Sequence, residues 1–204
     1  MPTLIRVGHK GSSHVAPGNT IEGFEAALQC RVDMIEFDVM QLPDGELVLA
    51  HDLEAATERT PLTLAEGLDH FTSDAYADVQ LNVDLKTPGY EREVLEGLRA
   101  RGLTGRTLIS STYPGSLAAV RELDTEVRRG WSVPRVRRDY TKSLVLAVPA
   151  YGLVRWWRAR LPAQAARAIE TGRCEALMAH RLLVSKTLVR RVQQAGGQLY
   201  VWTV

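Results

Sequence analysis

Ile35-Glu36-Phe37-Asp38-Val39 is the stretch that decides how this chain folds. Apolar and acidic residues alternate through it, which predicts a β-strand whose Glu36 and Asp38 side chains share one face. That face carries two carboxylates where a core strand ordinarily carries aliphatic side chains. Because two neighbouring like charges are costly unless a cation lies between them, the stretch indicates a divalent-metal site.

Short apolar runs alternate with helical patterns on both sides of this strand. Leaving out a hairpin strand predicted at 46–50, the chain holds seven main strands, near residues 5, 36, 82, 108, 129, 177 and 201. Such alternation predicts an α/β protein with a parallel sheet and helices outside it. A closed barrel needs eight strands, so we expect a (β/α)8 TIM barrel whose last strand–helix unit is absent from this sequence. A doubly wound open sheet is the alternative, although no Gly-x-Gly-x-x-Gly follows a strand.

Two of the predicted helices have identifiable boundary signals. The helix at 20–29 has Asn19 as its predicted N-cap, with Glu22 three residues later, as in a capping box. A second helical region is predicted at 142–171, in two pieces broken at proline residues, which are Pro149 and Pro162.

Length and composition favour one domain over residues 1–204, incomplete at its C-terminus. The chain is 45% apolar and 24% charged, as is typical of globular proteins. Its net charge of +1 gives no global field that would favour nucleic acid as a partner. Two cysteines do not make a disulfide framework, and no secretory signal precedes His9. The expected location is the cytoplasm.

Three carboxylates lie on two neighbouring predicted strands. Glu36 and Asp38 are on one strand, and Asp84 is on the next. The carboxyl ends of barrel strands carry the active site, so we expect these side chains to meet there. Carboxylate oxygens are the ligands that Mg²⁺ and Ca²⁺ prefer, and either ion would suit this set.

Two lysines and two histidines complete the predicted site. Lys10 and Lys86 add positive charge, and a metal together with lysines favours a phosphate anion. His9 and His51 each follow a short apolar run, and imidazoles titrate near neutral pH, so they can serve as base and acid across a phosphorus atom. The set therefore predicts metal-assisted cleavage of a phosphate ester.

These residues stand in the order of a known sequence pattern. The chain resembles the glycerophosphodiester phosphodiesterase family, which typically shows His-Arg-Gly, Pro-Glu-Asn-Thr, Glu-x-Asp-Val, Asp-Gly, His-Asp, Glu-x-Lys and Val-Trp-Thr-Val. The matching segments are His9-Lys10-Gly11, Pro17-Gly18-Asn19-Thr20, Ile35-Glu36-Phe37-Asp38-Val39, Asp44-Gly45, His51-Asp52, Asp84-Leu85-Lys86 and Val201-Trp202-Thr203-Val204. The match is dense over the first 52 residues. It implies a (β/α)8 barrel of the type shared with phosphatidylinositol-specific phospholipases C.

The resemblance also implies an activity and a role for each matching residue. The activity is metal-dependent hydrolysis of glycerophosphodiesters to glycerol 3-phosphate and an alcohol, with either water or a substrate hydroxyl as the attacking group. The implied roles are acid–base catalysis for His9 and His51, metal binding for Glu36, Asp38 and Asp84, and phosphate or substrate binding for Lys10, Lys86 and Trp202.

Four departures from the family pattern leave other functions open. Lys10 replaces arginine, Gly18 replaces glutamate, Asp84 replaces a longer glutamate, and the segment between His51 and Asp84 is short. Asp84 and the short segment resemble the sphingomyelinase D toxins. The short segment and the apolar run 144–157 favour, as an alternative, a lysophospholipase D or sphingomyelinase D-like activity on lysophospholipids. The first three departures favour a barrel that binds phosphate-bearing ligands without catalysis.

The segment 128–160 has two interpretations. Its arginines are either a solvated face or, with the apolar run 144–157, a peripheral membrane contact. The run is too short to span a bilayer. If no eighth strand follows, two sheet edges stay unpaired, which favours an oligomer that covers them.

Overall fold

The computed structural model describes residues 4–134 and 147–204. The chain forms two compact units, Met1–Arg128 and Arg129–Val204. Strands and helices alternate along each unit, as the sequence predicts. Besides the hairpin strand, the described residues hold the seven expected strands.

The first unit holds the predicted metal ligands. Its elements are β1 (Val7–Gly8), α1 (Ile21–Gln29), β2 (Met34–Gln41), β3 (Leu47–Val48), α2 (Leu53–Glu58), α3 (Leu64–His70), β4 (Gln80–Leu85), α4 (Glu91–Ala100), β5 (Thr107–Ser111) and α5 (Pro114–Leu123). Strands β1, β2, β4 and β5 are parallel neighbours in that order, and β3 pairs antiparallel with β2.

Strand β2 is buried on both faces, and its two faces differ in chemistry. Ile35, Phe37 and Val39 are fully buried in the apolar core of this unit. The Phe37 ring stacks on Phe71 with 5.3 Å between ring centroids. Side chains alternate along a strand, so this packing fixes Glu36 and Asp38 on the opposite face.

The strand register brings polar residues to matching levels. Asp38 lies opposite Asp84, Asp84 lies opposite Ser110, and Glu36 lies opposite Asn82. The face that the sequence marks with two carboxylates therefore continues as a polar patch across three strands.

The second unit contains β6 (Arg128–Val133), α6 (Ala147–Glu170), β7 (Ala176–His180), α7 (Lys186–Gln194) and β8 (Gln198–Trp202). Strands β6, β7 and β8 pair in parallel. Helices α6 and α7 pack around buried aliphatic side chains, namely Leu161, Ala165, Leu177, Leu188 and Val192. Among the described residues, no helix is both long enough and apolar enough to cross a membrane.

Two local predictions were wrong, and one helix was not predicted. The N-cap of α1 is Thr20, whose hydroxyl accepts a hydrogen bond from the Gly23 N–H, so the assignment of Asn19 as the cap was wrong. Helix α2 was not predicted, although Asp52 caps it. Helix α6 is continuous through Pro162, so the expected break there was also wrong. Residues 135–146, which belong to the predicted helical and membrane-contact segments, lie outside the described residues.

Candidate active site

Three carboxylates converge on the polar face of β2 and β4. Glu36, Asp38 and Asp84 each offer one oxygen, and these oxygens all lie within 4.8 Å of one another. Asp38 is fully buried, and Glu36 is buried as well. Such close packing of like charges requires compensating positive charge.

Two lysines supply part of that charge. The Lys86 Nζ lies 2.5 Å from Asp38 Oδ1 and 2.5 Å from Asp84 Oδ2. The Lys10 Nζ lies 3.3 Å from Asp38 Oδ2. The Lys86 ammonium thus occupies a position between two carboxylates, so the predicted phosphate-binding lysine and the predicted metal ligands form one ionic cluster.

The cluster moves the pKa values of its members in different directions. Burial and the neighbouring charges of Asp38 and Asp84 raise the pKa of Glu36. Burial also opposes ionisation of Asp38, but Lys86 and Lys10 outweigh it and lower the pKa of that carboxyl. Desolvation disfavours charged Lys86, yet Asp84, Asp38 and Glu36 overcome it and raise the pKa of the ammonium.

The donor set fits a hard divalent cation. All three side chains offer carboxylate oxygen, the ligand type that Mg²⁺ and Ca²⁺ prefer. Asn82 adds an independent observation, since its Oδ1 is buried without a hydrogen-bond partner among the described residues. Asn82 lies opposite Glu36 and two residues before Asp84, on the same strand face. A bound water or cation at this place would pair with the unsatisfied Asn82 oxygen.

Asn19 holds one of these carboxylates in place. Its Nδ2 donates a hydrogen bond to Asp38 Oδ2 at 3.0 Å, and its Oδ1 accepts one from the Asp38 N–H at 3.1 Å. Asn19 is buried and has the left-handed backbone conformation, with φ +58°. Asparagine tolerates that conformation better than most residues. It can therefore adopt the left-handed backbone here and still make both hydrogen bonds to Asp38. From the sequence, Asn19 was expected only to cap α1.

The His9-Lys10-Gly11 turn is fixed by the same strand. The Lys10 N–H donates to Glu36 Oε2 at 2.8 Å, and the Gly11 N–H donates to the Glu36 carbonyl at 3.1 Å. Gly11 has φ +83°, and a Cβ there would lie 2.5 Å from the backbone of Gly23. Glycine is therefore required for both conformation and space.

His9 lies beside the ionic cluster. Partial desolvation and the positive charge of Lys10 lower the pKa of its imidazole, and Lys86 acts in the same direction, while Asp38 opposes them. A lowered pKa keeps the ring neutral near pH 7, and a neutral ring can accept a proton.

His51 forms a pair with its chain neighbour. Its Nδ1 lies 2.8 Å from Asp52 Oδ2, and the Asp52 Oδ1 accepts a hydrogen bond from the Ala55 N–H at the start of α2. We assign a proton to His51 Nδ1 because that nitrogen faces a carboxylate. Nε2 lies on the other side of the ring, away from Asp52. Both side chains are about half exposed.

Trp202 lies at the end of β8 in the second unit. Its ring packs edge-on against His180, with 4.6 Å between ring centroids. The expected contact of Trp202 with substrate stays a prediction.

Comparison with known proteins supports the resemblance to the glycerophosphodiester phosphodiesterases. The profile of the Glycerophosphoryl diester phosphodiesterase family matches residues 9–64, which include His9, the β2 carboxylates and His51. A glycerophosphodiester phosphodiesterase from Caldanaerobacter subterraneus is 28% identical over 166 residues, covering 64% of this chain and 66% of that protein. The chain is similar to the glycerophosphodiester phosphodiesterase family, by profile over residues 9–64 and by sequence to a named member over 166 residues.

Solved phosphodiesterase structures share the fold. A putative glycerophosphoryl diester phosphodiesterase from Silicibacter pomeroyi has a TM-score of 0.73 at 18% identity, covering 100% of this chain and 84% of that one. An Oleispira antarctica phosphodiesterase in complex with the product sn-glycerol-3-phosphate has a TM-score of 0.69 at 23% identity, covering 97% and 83%. These likenesses confirm the predicted fold class, a (β/α)8 TIM barrel type present here in part, over the doubly wound sheet.

The extent of the match differs among the glycerophosphodiester phosphodiesterase relatives. A putative glycerophosphodiester phosphodiesterase of Bacillus subtilis, YhdW, is 44% identical, but over 46 residues, covering 22% of this chain and 19% of that protein. The chain spans just under two thirds of the length of the Caldanaerobacter relative and less of the others.

Proposed function

We propose that this chain hydrolyses glycerophosphodiesters to glycerol 3-phosphate and an alcohol, with a divalent metal bound at Glu36, Asp38 and Asp84. The observation that carries the proposal is the convergence of three carboxylate oxygens within 4.8 Å, beside Lys10 and Lys86. The similarity of residues 9–64 to the family and the glycerol-3-phosphate complex of the Oleispira protein support the substrate class.

The residues of the cluster divide into metal ligands and phosphate-binding groups. A Mg²⁺ or Ca²⁺ ion held by the three carboxylates would neutralise charge on the phosphate oxygens. Lys10 and Lys86 bind the same phosphate through their ammonium groups. Asn19 and Ser110 orient the carboxylates, since Asn19 hydrogen-bonds Asp38 and the Ser110 hydroxyl donates to Asp84 Oδ1 at 2.6 Å.

The two histidines transfer protons on either side of phosphorus. His9, whose pKa is lowered, accepts the proton of the attacking hydroxyl, which belongs to water or to the glycerol moiety. A new P–O bond forms, and the bond to the departing alcohol breaks. His51 donates its Nε2 proton to the departing oxygen, while Asp52 holds the Nδ1 proton and stabilises the charged ring. If glycerol supplies the nucleophile, the product is a cyclic phosphate that water opens in a second step.

Other assignments extend this proposal. In this proposal residues 1–204 belong to one barrel-type domain, the protein works in the cytoplasm, and Trp202 contacts the substrate. Membrane contact through 128–160, turnover of lysophospholipids and oligomer formation stay predictions.

The test is release of glycerol 3-phosphate from a panel of glycerophosphodiesters and lysophospholipids with magnesium, calcium or chelator. We expect turnover with a metal and loss of turnover with chelator. Replacement His9→Ala or His51→Ala is expected to lower turnover by roughly 100-fold or more. His14→Ala is the matched control, because His14 is an exposed histidine near His9 in sequence.

The outcomes separate the competing functions. Turnover confined to lysophospholipids would favour the lysophospholipase D alternative. Saturable binding of glycerol 3-phosphate without turnover under any metal condition would favour the non-catalytic barrel and reject the enzyme.

A further inference from the structure

Charge is segregated along this chain. Residues 1–128 contain 11 Lys and Arg against 21 Asp and Glu, a net charge of −10, and residues 129–204 contain 14 against three, a net charge of +11. The net charge of +1 for the whole chain conceals this division. Such an asymmetry between halves of a sequence indicates a partner for the charged half.

Part of the positive charge surrounds a cavity between α6 and α7. The cavity has a volume of about 580 Å³ and is lined by the guanidinium-bearing residues Arg155, Arg158 and Arg191, with the hydroxyl-bearing residues Ser185 and Thr187. A second cavity of about 620 Å³ shares Arg158 and Ser185 with the first and adds two further cations, Lys186 and Arg190. Among the described residues that line either cavity, none is acidic.

Helix periodicity explains why these side chains converge. Arg155 and Arg158 are three residues apart on α6, so they project from one side of the helix. Thr187 and Arg191 are four residues apart on α7 and share a face for the same reason. Ser185 caps α7, because its hydroxyl accepts a hydrogen bond from the Leu188 N–H. The positive end of the α7 dipole therefore adds to the field of the arginines.

We propose that the α6–α7 cavity binds a phosphate-bearing anion. Arginine forks match phosphate oxygens in a bidentate manner, and hydroxyl groups can donate further hydrogen bonds. Arg158, Lys186, Arg190 and Arg191 have no acidic neighbour among the described residues that line the two cavities, so their like charges favour an anion there. This site lies in the second unit and does not depend on the proposed hydrolysis.

The anion has two chemical sources, a soluble phosphate compound or a phospholipid headgroup. Exposed apolar side chains on α6 bear on the choice, since Leu153 is 56% exposed and Trp156 is 46% exposed. The Arg160 guanidinium lies 4.8 Å from the Trp156 ring centroid, a cation–π contact. Exposed tryptophan beside arginine also suits a lipid headgroup region.

The test compares two double variants of the full chain with chelator present. Arg158→Gln with Arg191→Gln removes two cavity arginines. Arg167→Gln with Arg173→Gln is the matched control, since it removes the same charge from exposed positions that do not line the cavity. One arm titrates inorganic pyrophosphate by calorimetry, and the other measures cosedimentation with phosphatidylglycerol vesicles against phosphatidylcholine vesicles.

We expect the cavity variant to bind roughly tenfold or more weakly in at least one arm, and the control variant to stay close to wild type. Loss in the pyrophosphate arm assigns the site to soluble phosphates, and loss confined to the vesicle arm assigns it to headgroups. Equal behaviour of the two variants in both arms overturns the proposal. Turnover of glycerophosphodiesters is expected to be unchanged in both variants, so failure of this site and failure of the proposed hydrolysis are distinguishable.

Discussion

Asn19 and Asp38 are joined by two hydrogen bonds, one to the carboxylate and one from the backbone N–H of the aspartate. The pair links the turn after β1 to β2, and both residues are buried. A carboxylate that must accept a cation is thereby held in one orientation before any cation arrives. Orientation of metal ligands by neighbouring hydrogen bonds commonly decides affinity.

Replacement Asn19→Gly tests this role, because glycine keeps the left-handed backbone and removes the side chain. We expect the free energy of unfolding to fall by about 1–3 kcal/mol, since buried Asp38 groups lose their partner. We also expect metal affinity to fall by roughly 10- to 100-fold, measured by calorimetry.

Two further variants at position 19 separate the loss of stability from the loss of metal affinity. Asn19→Ala adds backbone strain at φ +58°, so it should be less stable than Asn19→Gly while binding metal equally weakly. Asn19→Asp keeps one acceptor but places a like charge beside Asp38. Metal affinity unchanged in all three variants would contradict the positioning role.

The sequence predicts the carboxylate set because strand alternation is a simple geometric rule. Glu36 and Asp38 must share a face, and the same two-residue spacing recurs in Asp84 on β4 and Lys86 directly after it. Asn19 is missed because asparagine before a helix is also a good N-cap, and Thr20, which caps α1, is equally suitable. Only the tertiary contact with Asp38 distinguishes the two roles.

Other features escape sequence reasoning for different reasons. Helix α2 has six residues, too few for a periodic pattern, and its one clear signal is the N-cap Asp52. Pro162 lies within α6, where packing of Leu161 against the core outweighs the usual cost of proline. The segregation of charge into two halves is hidden by the summed value of +1.

The lowered pKa of His9 predicts the acid side of the pH–rate profile. A proton acceptor works only when unprotonated, and a lower pKa keeps it unprotonated to lower pH. The acid limb of kcat/KM should therefore have its midpoint below the ordinary imidazole value of 6.5. Lys10→Met removes a positive charge that lowers the pKa, so the midpoint should move to higher pH.

The measurement is a pH–rate profile, supported by NMR titration of the His9 ring in chelator. Lys10→Arg is the control, because it keeps the charge and should leave the midpoint in place. An acid limb that is the same in Lys10→Met and wild type would show that His9 is not the titrating base.

Asp52 has two functions that a single substitution can separate. Asp52→Asn keeps an acceptor oxygen for the Ala55 N–H, so α2 stays capped, but it removes the carboxylate that holds the His51 Nδ1 proton. Because the pair is about half exposed, we expect a fall in kcat of roughly 10- to 100-fold, less than for a buried triad. Thermal unfolding should change little.

Asp52→Ala provides the comparison for stability. It removes the cap as well, which costs about 1 kcal/mol at a helix N-terminus. The two variants should therefore share the loss of turnover and differ in melting temperature. Full turnover in Asp52→Asn would mean that His51 needs no carboxylate partner.

Gly18 and Lys10 both depart from the family pattern, and the structure leaves no room for a side chain at position 18 beside Lys10. A Cβ on residue 18 would lie 2.8 Å from the Lys10 Cβ and 3.2 Å from the Lys10 Cδ. Gly18→Ala should displace the lysine and raise KM by roughly two- to tenfold, with a smaller effect on kcat. Gly115→Ala is the control, because an added Cβ there meets no atom within 4 Å.

The same lack of room predicts that restoring the family residues succeeds only in combination. Gly18→Glu alone places a carboxylate against the Lys10 stem, whereas Gly18→Glu with Lys10→Arg allows a fork-shaped pair. In a double-mutant cycle on kcat/KM we expect a coupling energy of about 0.5–3 kcal/mol in favour of the double variant. Strict additivity of the two changes would show that the positions evolved their present residues independently, despite their proximity.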